Sequence, residues 1–157
     1  MGEVMKCNKK FEPWIEKNEE KIFDKIDLGK SLDDAHEAIE RVKQWKKESE
    51  EMKAKLDKGN KAAKKMSNHD NEDKIYEAFV KRWEVVNKKI IEVIPLMESY
   101  IGLWEKQIVI ADEIQAEITN PHTKLQLPDL EKMFMDMKRL MFQKQKIMSK
   151  INPTKSS

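Results

Sequence analysis

Residues 27–56 read DLGKSLDDAHEAIERVKQWKKESEEMKAKL, and residues 74–89 read KIYEAFVKRWEVVNKK. The first stretch decides the fold. From Leu32 onward its apolar and small residues fall at Leu32, Ala35, Ile39, Val42, Trp45, Ser49, Met52, Leu56, Gly59, Ala63 and Met66. The steps alternate between three and four, which is the seam of a long helix packed against helical neighbours. The step from Val42 to Trp45 repeats a three, so the seam shifts there without ending. Gly29-Lys30-Ser31 breaks the chain before this helix. Ser31 is the expected N-cap, followed by Asp34 in an acidic first turn. Gly59 and Asn60 soften the last turns.

Working outward, a polar loop at Ser67-Asn68-His69-Asp70-Asn71 separates this helix from the next, expected to start near Glu72 or Asp73. Its seam runs through Tyr76, Phe79, Trp83, Val86, Ile90, Val93, Met97, Tyr100 and Trp104. It continues less cleanly through Ile108, Ala111, Ile114 and Ile118, predicting one helix of about 45 residues, about 70 Å long. Pro95 inside it removes a backbone hydrogen bond and predicts a kink or joint. Toward the N-terminus a helix is expected over about 8–26. It carries Phe11, Trp14, Ile15, Ile22, Phe23 and Ile26, with Pro13 in its first turn. Asn18 lies on the same stripe, a polar interruption suited to fixing register. After Thr119-Asn120-Pro121-His122, a last helix is expected from Pro128 to Ile151. Its stripe is Leu130, Met133, Met137, Leu140, Lys144, Ile147 and Ile151, widened by Phe134, Met141 and Met148. Residues 152–157 are expected to be a disordered tail.

Composition agrees with thin helical layers. Charged residues make up 38%, and Gly (4) and Pro (5) are scarce, which favours long helices over a thick core. The 31 basic and 29 acidic residues nearly cancel to +2. Both signs are mixed along most of the chain, which speaks against a whole-chain nucleic-acid role. Cys7 stands alone and cannot form an internal disulfide, which suits a cytosolic or nuclear setting. No apolar run approaches a membrane span and the N-terminus has no signal-peptide core. The one sequon-like triplet, Asn152-Pro153-Thr154, is blocked by its proline.

The ordered set of features over about 11–100 resembles the spectrin-repeat family. Phe11 with Trp14-Ile15 looks like the aromatic start of a first helix. Asp27-Leu28-Gly29-Lys30-Ser31-Leu32 looks like the entry into a second. Gly59-Asn60, then Ile75, Phe79 and Arg82-Trp83-Glu84, look like the approach to and signature of a third. The resemblance implies an all-α fold: an antiparallel three-helix bundle over 8–97 with a long shared third helix. It places Trp14 opposite Trp83 in the core and makes Phe11, Trp14, Phe79 and Trp83 core anchors, to which the seam of the second helix adds Trp45. Trp45 and Trp104 fall outside the common pattern. Residues 98–151 supply only a helical hairpin. Three outcomes remain open for it: folding back on the first bundle, completion in trans by another chain's helix, or lacking its next helix.

The family implies a non-catalytic spacer and protein-docking segment of an intracellular cytoskeletal linker, reaching actin or the nuclear envelope through a parent chain. A regulatory segment of a Rho-family exchange factor is the second class. The apolar seam expected to take a protein partner comprises Trp104, Ile108, Ile114, Leu130, Phe134, Met137, Leu140 and Met141. A third class rests on Lys138, Arg139, Lys144, Lys146, Lys150 and Lys155, a run with no acidic residue among methionines and phenylalanines. Such a helix suits calmodulin-like grooves or anionic membranes. His36, His69 and His122 are not spaced as metal ligands. Asp70-Asn71-Glu72-Asp73 lacks the glycine and glutamate of a calcium loop. No phosphate loop or nucleophile–base motif is present, so neither a cofactor nor an enzymatic role is expected.

Overall fold

A computed structural model describes residues 2–66, 69–119 and 127–153, without the side chains of 2–6. It contains α1 (Gly2–Lys21), α2 (Leu32–Lys64), α3 (Asp70–Thr119) and α4 (Leu127–Ile151). No strand occurs among the described residues. The protein is all-α. Its contacts divide it into two compact units. The first comprises Met1–Lys25 and Glu40–Ile94, the second Ile26–Ile39 and Pro95–Ser157. Both α2 and α3 therefore contribute to each unit.

The first unit packs α1 with the greater part of α2 and the first half of α3. Ser49 on α2 meets Trp83 and Asn87 on α3, while Asp57 meets Tyr76. Rising α2 numbers thus meet falling α3 numbers, so these helices are antiparallel. Phe11 on α1 packs on Phe79 with ring centroids 5.0 Å apart, and Glu19 reaches Arg82. So α1 runs parallel to α3. Phe11, Ile15, Val42, Leu56, Val86, Ile90 and Val93 are buried here. These are the positions the three-and-four spacing selects, because those steps return to one helix face.

Trp45 is the indole at the centre, only 5% exposed. Its N–H donates to Asn18 Oδ1, and Asn18 Nδ2 donates to the Trp14 carbonyl at 2.7 Å. The buried amide is thus satisfied on both sides, and register is fixed by a bond that a one-residue slip would break. Trp14 and Trp83 are both half-buried. They do not form the expected central pair. Trp14 packs beside Phe11, and the Trp83 N–H donates to the Ser49 carbonyl at 2.9 Å. The larger buried role passes to Trp45 because Asn18 gives its indole nitrogen a partner inside the core.

In the second unit, the connector Ile26–Ser31 and the first turns of α2 join the second half of α3 and α4. Leu28, Ala35, Ala38, Ile39, Met97, Ile101, Ile114, Leu140 and Ile151 are buried. The third element beside the 98–151 hairpin is thus residues 26–39. Gly29 holds φ +74, where an added Cβ would lie 2.2 Å from Asp34 Cβ. Only glycine fits this turn. The turn closes as expected: Asp34 N–H donates to Ser31 Oγ at 3.1 Å, and Lys30 N–H to Asp34 Oδ2 at 3.1 Å. Both bonds satisfy amides that a helix start or turn leaves open.

Several boundaries differ from expectation. Helix α1 begins earlier, at Gly2, so Pro13 lies inside it and not in a first turn. It also ends earlier, at Lys21. The amides of Phe23 and Asp24 bond to carbonyls three residues back, a tightened last turn that stops the helix. Phe23 is exposed despite keeping helical spacing. Asn152 does not belong to a loose tail, since its side chain bonds Ile26 on both backbone sides. Helix α3 starts at Asp70 and continues through Pro95, the residue at which it passes from the first unit to the second. Expectations for residues 67–68, 120–126 and 154–157 lie outside the described residues.

Candidate docking groove between the terminal helices

Helices α3 and α4 enclose an open groove of about 790 Å³ within the second unit. Its walls are two helical rows. One is Gly102, Glu105, Lys106, Val109 and Ile110; the other is Asp136, Arg139, Leu140 and Gln143. Each row repeats at three and four residues, the spacing of one helix face. Gly102 opens the groove, because a Cβ built on it meets nothing within 4 Å. A glycine inside a helix costs up to about 1 kcal/mol relative to alanine. Here it leaves room where a neighbouring helix would pack.

The charged rim is balanced. Arg139 Nη2 lies 2.9 Å from Asp136 Oδ1, and Glu105 lies 3.6 Å from His36 Nε2. These exposed pairs orient side chains more than they stabilise the fold. On the other flank of α4 lies a recess of about 240 Å³ lined by Tyr100, Gln107, Met141, Lys144, Gln145 and Met148. Tyr100 and Trp104 meet edge to face there, and the Lys144 ammonium sits 4.4 Å from the Trp104 ring centre and 5.1 Å from that of Tyr100. Burial pushes the Lys144 amine down and the Tyr100 phenol up.

The eight seam residues expected to take a partner separate into three groups. Ile114 and Leu140 are buried, and Trp104, Leu130 and Met137 are half-buried. Ile108, Phe134 and Met141 are exposed. Of these eight, only Leu140 lines the larger groove. The basic residues also part company. Lys144 turns onto the aromatic pair and Arg139 onto Asp136, while Lys138, Lys146 and Lys150 are exposed. Reading the sequence for apolar seams missed Gly102, Val109 and Ile110. The available signal was Gly102 itself, a lone glycine inside a strongly helical pattern.

His69, Asp70 and Asp73 lie together at the start of α3 with potential ligand atoms within 4.8 Å of one another. His69 Nδ1 is already 2.8 Å from Asp73 Oδ2, and the Asp73 amide donates to the His69 carbonyl at 2.9 Å. This arrangement closes the first turn of the helix. Among the described residues, no helix is long and apolar enough to cross a membrane. Comparison with protein-family models, curated proteins and solved structures finds no match.

Proposed function

We propose that this chain is a non-catalytic, spectrin-repeat-like module that acts as a spacer and protein-docking segment of an intracellular cytoskeletal linker. The fold part of the reading is supported by the first unit, where α1 and α3 run parallel with α2 antiparallel between them in sequence. It is also supported by α3, 50 residues long, which serves both units as a shared helix would. The docking part rests on one observation: the groove walled by two helical rows over the open position at Gly102. A slot of that form suits an amphipathic helix laid between α3 and α4, with its apolar residues at helical spacing.

The test is selection of a displayed library of amphipathic helices against the whole chain. The expected binders carry one apolar face and lose binding to Gly102→Trp, which projects an indole into the groove from a position whose Cβ meets nothing within 4 Å. Binders that hold Gly102→Trp as tightly as the unsubstituted chain would refute the docking site.

A further inference from the structure

Helix α4 has two apolar faces, and the fold uses one. Leu140 and Ile151 on the inward face are buried in the second unit. On the outward face Phe134 is 52% exposed, Met135 69%, Met141 51% and Phe142 59%. With Lys138 they occupy positions i, i+1, i+4, i+7 and i+8, one continuous side of a helix. Single exposed apolar residues are ordinary. Four large ones on one helix face form a patch of the kind that marks an interaction surface.

The chemistry around the patch selects its occupant. From Met137 to Ser157 the sequence contains no acidic residue. Lys138 lies on the patch, and the Lys146 ammonium sits 4.8 Å from the centre of the Phe142 ring. Exposed Lys150 continues the basic side. Asp136 lies toward the groove, where Arg139 pairs with it. Glu131, one turn before Met135, marks the edge of the basic region. The patch forms the outer crest of α4, on the side away from Leu140 and Ile151, and Met141 at its edge also lines the smaller recess. A partner that engulfs a helix would have to strip α4 from its core, exposing Leu140 and Ile151 again. A planar partner needs only the crest.

We propose that the outward face of α4 docks on an anionic membrane surface. Phe134, Met135, Met141 and Phe142 enter the boundary between headgroups and acyl chains, about 5–10 Å deep. Lys138, Lys146 and Lys150 lie at the level of the anionic headgroups. The association is peripheral and independent of the helix-docking groove.

The experiment is co-sedimentation of the whole chain with vesicles of phosphatidylcholine alone and of phosphatidylcholine mixed with phosphatidylserine. Binding is expected to the anionic vesicles only, and to fall steeply between ~0.05 and ~0.3 M salt as the Debye length shortens. Lys138→Gln and Lys146→Gln should each weaken it about fivefold. The double change Met141→Ser with Phe142→Ser should abolish it while circular dichroism stays unchanged, since both side chains are exposed. Gly102→Trp should bind vesicles normally, which separates this face from the groove. Equal binding to neutral vesicles, no binding to anionic ones, or indifference to these substitutions would overturn the proposal. So would a calcium-dependent complex with calmodulin in place of vesicle binding.

Discussion

The side chain of Asn152 stands in for a neighbouring strand beside Ile26. The Ile26 amide donates to Asn152 Oδ1 at 2.7 Å, and Asn152 Nδ2 donates to the Ile26 carbonyl at 2.7 Å. This double bond pattern is what an antiparallel partner would supply. It ties the end of α4 to the connector before α2, across 126 residues of sequence. Asn152→Ala removes both bonds and leaves two half-buried backbone groups seeking partners. A loss of about 1–3 kcal/mol is expected. Hydrogen exchange should show the Ile26 amide losing its protection in the variant, and denaturant titration should register the lower stability.

Trp45 and Asn18 form the corresponding pair in the first unit. Trp45→Ala should cost about 3–5 kcal/mol, through lost burial and the cavity left behind. Trp83→Ala should cost less, because Trp83 is already half-exposed. Asn18→Ala leaves the Trp45 N–H buried without an acceptor, at a cost of about 1–3 kcal/mol. Urea unfolding followed by tryptophan fluorescence tests the order, and Trp83→Ala proving the most damaging would contradict it.

Acid should weaken the first unit through two carboxylates. Hydrogen bonding to the Arg82 guanidinium holds the Glu19 carboxyl below its ordinary value, against the opposing effect of burial. Burial acts most strongly on Asp57 and opposes its charge, but hydrogen bonds from Lys53 and Tyr76, with the nearby Lys53 and Lys61 charges, together outweigh it and lower the pKa. A depressed carboxylate stabilises the fold above its unfolded pKa, about 4. That contribution disappears as pH falls through the folded value. Each pair lies near the surface, so each should contribute under ~1 kcal/mol. Glu19→Gln and Asp57→Asn should flatten the decline in thermal stability below about pH 5. An unchanged slope in both variants would contradict this assignment.

Gly102→Ala should raise stability by about 0.5–1 kcal/mol, because alanine favours the helix and its methyl group meets open space here. Calorimetry of the whole chain measures the gain. A loss would mean that the groove closes around this position in solution.

Much of the architecture was legible because a helix seam repeats every three or four residues. All eleven positions expected to face inward, from Leu32 at the start of α2 to Met66 just past its end, are buried or half-buried. The Ser31 cap and the Gly29 turn could be read from local chemistry alone. The end of α1 could not, since Ile22, Phe23 and Ile26 keep helical spacing after the helix has stopped. Nor could the division of α2 between two units. Periodicity reports that Ile39 and Val42 face inward, but not which neighbours they meet. The repeated three-residue step at Val42–Trp45 lies within a turn of that division and was its only trace. The Asn152–Ile26 bond joins two segments whose local sequences do not announce each other. The docking groove was missed for a related reason. It is defined by the side chain that Gly102 lacks, whereas an apolar seam consists of side chains that are present.

The most direct test of the docking account is a titration of the isotope-labelled chain with a helical peptide recovered by the library selection, followed by backbone amide shifts. Shifts are expected to concentrate at Gly102–Ile110 and Asp136–Gln143, the two walls of the groove, and to be absent in Gly102→Trp. Shifts concentrated in the first unit, or unchanged in the groove-filled variant, would contradict it.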